Sequence, residues 1–195
     1  MKKIVTTLTT EAVFSDDGLK RYLLRKSWSD SKPKLAIVML APSEASGIEL
    51  DTTTQLVLNN SARLGYGSVS IVNLFATLND FSLKQAEDED SENMDVIVQQ
   101  AEDADLIVYA PGVGKAKSKV FLQRQQRVLA YLCAFENKLH CLCDANGESR
   151  LQHPLSPAVR TWHLSPLKVS EVISLPQDEQ KKKSKGKQPK NDEAK

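Results

Sequence analysis

Leu35-Ala36-Ile37-Val38-Met39-Leu40 is an unbroken apolar run bounded by Pro33 and Pro42. A strand with one wet face alternates polar and apolar residues. A strand apolar throughout suits burial on both faces, as in a parallel sheet beneath helices. The sequence to either side extends that pattern. Residues 54–64 place Leu56, Val57, Ala62 and Leu64 along a helix that stops at Gly65-Tyr66-Gly67. Residues 68–75 make the next strand, with Val69 and Ile71 alternating before Asn73-Leu74-Phe75. Residues 93–104 form a helix whose apolar stripe is Met94, Ile97, Val98 and Ala101. Leu106-Ile107-Val108-Tyr109 is a third core strand, closed by Pro111-Gly112. Residues 117–135 form a long helix with Val120, Phe121, Val128, Leu129 and Leu132 inward, and residues 139–143 a fourth strand. The acidic stretch 87–92 reads as an exposed loop. Upstream, residues 6–14 and 20–28 flank Ser15-Asp16-Asp17-Gly18, a turn sequence, and read as a β-hairpin. The expected class is α/β: a three-layer α/β/α sandwich around a mostly parallel central sheet of about four strands, with an N-terminal β-hairpin.

The chain of 195 residues is 41% hydrophobic and 26% charged, enough for one domain with a sizeable core. No apolar run approaches the roughly 20 residues of a membrane span, and the start reads as no signal peptide, so a cytoplasmic protein is expected. Cys133, Cys141 and Cys143 show no metal-binding spacing and read as reduced core thiols; no metal or cofactor is expected. The net charge of +1 is unevenly spread. Residues 177–195 hold seven lysines and four acids, which leaves residues 1–176 at a net −2. Residues 1–176 are read as the folded domain, and 177–195 as a disordered Lys-rich tail, either a solubilising end or a source of salt-sensitive phosphate affinity.

Ligands of open α/β sheets bind outside the carboxyl ends of the strands. The residues to interrogate are Ala41-Pro42-Ser43-Glu44, Asn73-Leu74-Phe75, Tyr109-Ala110-Pro111-Gly112 and the later His153-Pro154-Leu155-Ser156. No HExxH, phosphate-binding loop, GxGxxG or nucleophile elbow occurs.

Several of these stretches belong to a larger pattern. Ser15-Asp16-Asp17-Gly18, Arg21-Tyr22-Leu23-Leu24 with Trp28, Met39-Leu40-Ala41-Pro42-Ser43-Glu44-Ala45, Asp51-Thr52-Thr53, Gly65-Tyr66-Gly67, Asn73-Leu74-Phe75 and His153-Pro154-Leu155 stand in order over most of residues 10–160. They resemble a bacterial and phage family of unknown function with an M-L-N-P-S-x-A loop, D-x-T, N-L-F and a late H-P-L. More distantly, the chain resembles the uracil-DNA glycosylase superfamily, which shares the three-layer sandwich and has a loop of the form G-L-A-P-x after its first core strand. His153-Pro154-Leu155-Ser156-Pro157 is similar to that superfamily's later H-P-S-P-L-S loop, and His163-Leu164-Ser165-Pro166-Leu167 is a rival for the same place. Two positions depart from the pattern. Ala41 stands where the nearer family has Asn, and Tyr109-Ala110-Pro111-Gly112 where it tends to a tryptophan–glycine pair.

The resemblance implies a metal-independent, monofunctional DNA glycosylase, monomeric, acting on a base flipped from DNA, with a role in antiviral defence or phage DNA metabolism. Such a site must stack the extruded base, read its edge, stabilise the leaving anion and guide a water. Asp51 is the candidate for positioning water and supporting the oxocarbenium ion, or else a helix N-cap. Asn73 presents a donor and an acceptor that suit a base edge, or organises its loop. His153 is the candidate donor to the leaving base, or a loop residue. Ser43 and Pro42 shape the first loop, Glu44 is an acid–base candidate or a solvated carboxylate, and Phe75 and Tyr66 are candidate stacking walls or core. The alternatives are a nucleotide or nucleoside hydrolase or transferase, and a non-catalytic nucleic-acid-binding module.

Overall fold

A computed structural model of the chain describes residues 1–43, 47–78, 91–113, 118–148 and 150–173. Glu44, most of the acidic stretch 87–92 and the tail 177–195 lie outside them.

Two strands, β1 (Thr9–Phe14) and β2 (Arg21–Ser27), form the expected antiparallel hairpin. Its turn is fixed by Asp17, whose Oδ1 accepts from the Ser15 hydroxyl at 2.6 Å and the Leu19 amide at 2.9 Å. The hairpin is no separate element. It continues one sheet of seven strands, in the order β1-β2-β4-β3-β5-β6-β7, where β3 is Lys34–Met39, β4 Ser68–Asn73, β5 Leu106–Tyr109, β6 Leu139–Cys143 and β7 His163–Pro166. The sheet is mixed. The pairs β3–β4, β3–β5 and β5–β6 are parallel, while β1–β2, β2–β4 and β6–β7 are antiparallel. The expectation of a mostly parallel sheet of about four strands is therefore corrected to a mixed sheet of seven strands among the described residues. The hairpin adds two through β2–β4 pairing, and β7 adds an edge strand with a proline at its end, a position where a missing amide costs no ladder bond.

Alternation along β3 sorts the core. Leu35, Ile37 and Met39 meet Val57 of α1 (Thr52–Arg63) and the buried Trp162 on one face. Ala36 and Val38 meet Met94, Ile97 and Ala101 of α2 (Ser91–Asp103) on the other, with Val128, Leu129 and Leu132 of α3 (Lys119–Leu132). The short α4 (Val169–Ile173) joins that second cluster through Val169 and Val172. Burying such side chains contributes roughly 1.5–3 kcal/mol each. Cys141 and Cys143 are buried as expected, but Cys133 is exposed at the end of α3 and is not a core thiol.

The amino-terminal edge of the sheet closes around Gly67. Its carbonyl accepts from the Trp28 and Ser29 amides at 2.8 and 3.0 Å, and its own amide donates to the Pro33 carbonyl at 2.8 Å. A Cβ here would lie 2.0 Å from the Ser29 carbonyl oxygen and 2.8 Å from Lys32 Cβ. Gly67→Ala must displace backbone at the junction of β2, the 29–33 linker and β4. Chemical denaturation should report a loss of roughly 1–3 kcal/mol or more. Gly47→Ala, where an added Cβ meets nothing, should stay within about 0.5 kcal/mol. Equal effects of the two would show that the junction yields freely.

Candidate functional site

From β3 the chain crosses through α1 to β4 on one side, then returns through α2 to β5 on the other. The carboxyl end of β3 is thus the point where the winding reverses, and in open α/β sheets ligands bind in the crevice outside the strand ends at such a point. Pro42 is buried in the first loop. In the second, Gly112 adopts φ +81°, and a Cβ on it would stand 3.0 Å from His153 Cβ. The late loop that carries His153 is therefore seated on the turn after β5.

Asp51 caps α1. Its Oδ1 accepts from the Thr54 amide at 2.6 Å, while its Oδ2 is buried with no hydrogen-bond partner. One oxygen satisfies the helix end and the other remains for a ligand, so the capping role does not exclude a chemical one. Arg21 and His153 both lie within the electrostatic reach of this carboxylate. Burial draws the His153 imidazole below its ordinary value, and Asp51 opposes the shift. His153 Nδ1 accepts from the Leu155 amide at 3.2 Å, which leaves the proton of the neutral ring on Nε2.

Arg21 reaches this edge because of a bulge. Val13 pairs with Leu23 but Phe14 with Arg21, so Tyr22 is an extra residue in β2. Tyr22 donates to Glu92 of α2 at 2.6 Å, and Leu23 packs in the cluster with α2 and α3. Arg21 is turned the other way. Its Nη1 donates to the Ser43 carbonyl at 3.1 Å, close to the start of α1. Bulges re-aim side chains in this manner beside functional sites.

Asn73 ends β4, opposite Met39 in the parallel register. Val69 and Ile71, at alternate positions of the same strand, belong to the α1-side cluster, so Asn73 shares their face. The residue is only 1% exposed, yet neither Oδ1 nor Nδ2 has a hydrogen-bond partner. Ser43 Oγ is likewise buried and unpartnered. Ser43, Asp51, Asn73 and His153 thus stand at one edge of the sheet, on loops or ends belonging to β3, α1, β4 and the segment packed on the β5 loop. They offer a carboxylate oxygen, a hydroxyl, an amide and a neutral imidazole with no acceptors or donors already assigned to the first three. Among the described residues no cluster of His, Cys, Asp and Glu could hold a metal ion, and no helix is long and apolar enough to cross a membrane.

Other candidates fall elsewhere. Tyr66 precedes β4 and feels Asp105, which precedes β5, so it lies at the opposite, amino-terminal edge. Phe75 is buried in the core with α2 and α3 and is not a free stacking wall. Glu44 lies outside the described residues. His163 is exposed at the start of the edge strand β7, opposite Cys143. Sequence reasoning assigned no role to Arg21, Asn93 or Arg124, all buried at this edge. Their signal was there: Asn93 and Arg124 occupy positions on the apolar stripes of α2 and α3, where a polar residue is out of place unless it has a structural task.

A comparison with curated proteins finds no match for the chain. A family model described as protein of unknown function (DUF1643) matches residues 21–155. The matched span opens on Arg21 and takes in Ser43, Asp51, Asn73 and His153, and it covers well over half of the chain, which therefore belongs to the DUF1643 family.

Proposed function

We propose that the chain is a DNA glycosylase: it takes a base extruded from DNA into the carboxyl-edge crevice and hydrolyses its N-glycosidic bond, leaving an abasic site. The observation that carries this reading is the Asn73 amide, fully buried with both its donor and its acceptor unpartnered. A buried polar atom left without a partner costs roughly 1–3 kcal/mol. An amide pays back that cost when a planar partner presents an acceptor beside a donor, which is the pattern of a nucleobase edge. The distant likeness to uracil-DNA glycosylases in the Ala41-Pro42-Ser43 and His153-Pro154-Leu155 loops points the same way.

The residues divide the work as follows. Asn73 reads the base, and the Ser43 hydroxyl holds base or phosphate. Water attacks the sugar carbon as its bond to the base nitrogen breaks, and the bonding electrons leave with the base. Asp51 Oδ2 orients the water and takes its proton, and His153 Nε2–H donates to the departing base. Ala41 brings no polar group to the water, so that task falls on Asp51. The same Ala41 favours a second reading, a module that binds nucleic-acid bases without cleaving them; release of free base separates the two.

Asp51→Asn tests the chemistry cleanly. Asn caps helices about as well as Asp, so thermal stability should change by less than about 1 kcal/mol. Base release, followed as abasic sites in DNA, should fall by about 100-fold or more with DNA affinity nearly unchanged. An active, folded variant would remove Asp51 from the reaction.

Asn73→Leu separates site from scaffold. Removing an unpartnered buried amide should leave the free protein as stable or more stable, by about 1 kcal/mol, while base release is lost. A protein that unfolds on this change would mark Asn73 as structural.

The pH profile gives a third check. The neutral His153 ring exists above its pKa, which burial sets below the ordinary 6.5. The acid limb of kcat/KM should therefore fall below pH 6.5 and disappear in His153→Gln. A limb in which activity rises as the pH falls through that range would mean that the imidazolium is the working form.

A further inference from the structure

We propose that Asn93 and Arg124 are positioning residues that act through Asn73, from the opposite face of the sheet. The inference rests on the reading of that edge as a base-binding site. Asn93, in the first turn of α2, donates through Nδ2 to the Asn73 carbonyl at 3.0 Å and to the Leu74 carbonyl at 3.3 Å. Arg124, midway along α3, donates through Nε to the same Leu74 carbonyl at 2.7 Å. The amides on this stretch are held as well. Leu74 donates to the Met39 carbonyl at 2.8 Å and Phe75 to the Leu40 carbonyl at 3.0 Å. The backbone from Asn73 to Phe75 is thus pinned by two helices and by the β3 loop.

The Asn73 side chain has no contact of this kind. Its amide finds no hydrogen-bond partner among the described residues, so no polar contact of its own orients it, and its place follows from the packing around it and the backbone that carries it. A group that must meet a ligand with a fixed donor and acceptor needs that backbone held to a fraction of an ångström. Helix packing alone would be served by apolar residues at 93 and 124, which lie beside Ile97 and Val128 on the inward stripes. The chain instead buries an amide and a guanidinium there. A charged donor on a carbonyl is also among the stronger hydrogen bonds available to a loop. Because Phe75 binds the Leu40 carbonyl, the clamp extends to the start of the Ala41-Pro42-Ser43 loop, and so links the base-reading group to the rest of the site.

The test uses the full chain without ligand first. The Asn73 side-chain amide should give one sharp pair of proton–nitrogen NMR signals in the native protein. In Arg124→Lys, which keeps the charge and loses the guanidinium geometry, and in Asn93→Ser, the pair should broaden or double while the remaining spectrum stays folded. An unchanged Asn73 signal in both variants overturns the proposal. The functional arm is a double-mutant cycle on base release. Arg124→Lys should lower kcat/KM by about 10–100-fold in the native background and add nothing in Asn73→Ala. Equal losses in both backgrounds would show that Arg124 acts by general stability and would also overturn it. Should the native protein release no base from any DNA, the glycosylase reading fails, and the NMR arm still decides whether Arg124 and Asn93 position Asn73.

Discussion

Three buried cations end on backbone carbonyls of the segments that follow β3 and β4. Arg21 donates to Ser43, Lys26 to Gly47, and Arg124 to Leu74, and each cation is only 1% exposed. Taking a cation out of water costs several kcal/mol, and well-packed apolar residues in the same volume would often be as stable or more so. What a cation provides and an apolar side chain does not is direction. It fixes one carbonyl, and therefore one conformation of the loop bearing it. Ser43 and Gly47 belong to the connection between β3 and α1, and Leu74 follows β4. The conformations of the loops that bear Ser43, Asp51 and Asn73 depend on these three contacts. Burial pulls the Lys26 ammonium down from its ordinary value, the expected signature of a cation retained at a cost.

Buried polar groups without partners occur elsewhere, and comparison with them sharpens the case for Asn73. Trp162 Nε1 and the Tyr109 hydroxyl are also unpartnered. Burial pushes the Tyr109 phenol well up, so it stays un-ionised, and Gln125 lies close enough to influence it without meeting hydrogen-bond geometry. Each of these is one polar atom on a large apolar body that packs well without it. Asn73 has little apolar surface to repay its burial, and both of its polar atoms are vacant. An apolar residue would serve the fold better at that position, and breaks of a local rule of this kind are expected at functional or strained sites.

The strands and helices were legible wherever a side chain's environment follows from its neighbours in sequence. Leu106–Tyr109 falls where a continuous apolar run placed it, Leu139–Cys143 where the alternation of Cys141 and Cys143 did, and the hairpin follows from the turn chemistry at Asp17 and Gly18. The expected loop at 87–92 yielded its last two residues to α2, where Glu92 faces the positive end of the helix. β7 was not legible. Its sequence, His163-Leu164-Ser165-Pro166, neither alternates nor carries an apolar run, since an edge strand is held by backbone pairing to one neighbour. Ser43 and Asn73 were legible as positions just past strand ends, whereas Asp51 and His153 were singled out mainly by the family pattern, and the fold brings the four to one edge. Tyr66 was misplaced because it precedes its strand, and a residue before a parallel strand belongs to the other edge. Arg21 was missed because its direction depends on an extra residue in β2, Tyr22, and a bulge leaves no mark in the periodicity.

The charges around Asp51 narrow what that carboxylate can do. It sits at the positive end of α1 and caps it with Oδ1, and Arg21 lies close enough to be affected by it. Part of its charge is thus already engaged by the helix end and by Arg21. Its remaining asset is local: Oδ2, an acceptor with no partner, buried where a water would be held by a single strong bond. In the proposed reaction that would favour orientation of the nucleophile over electrostatic support of the oxocarbenium ion as the contribution of Asp51.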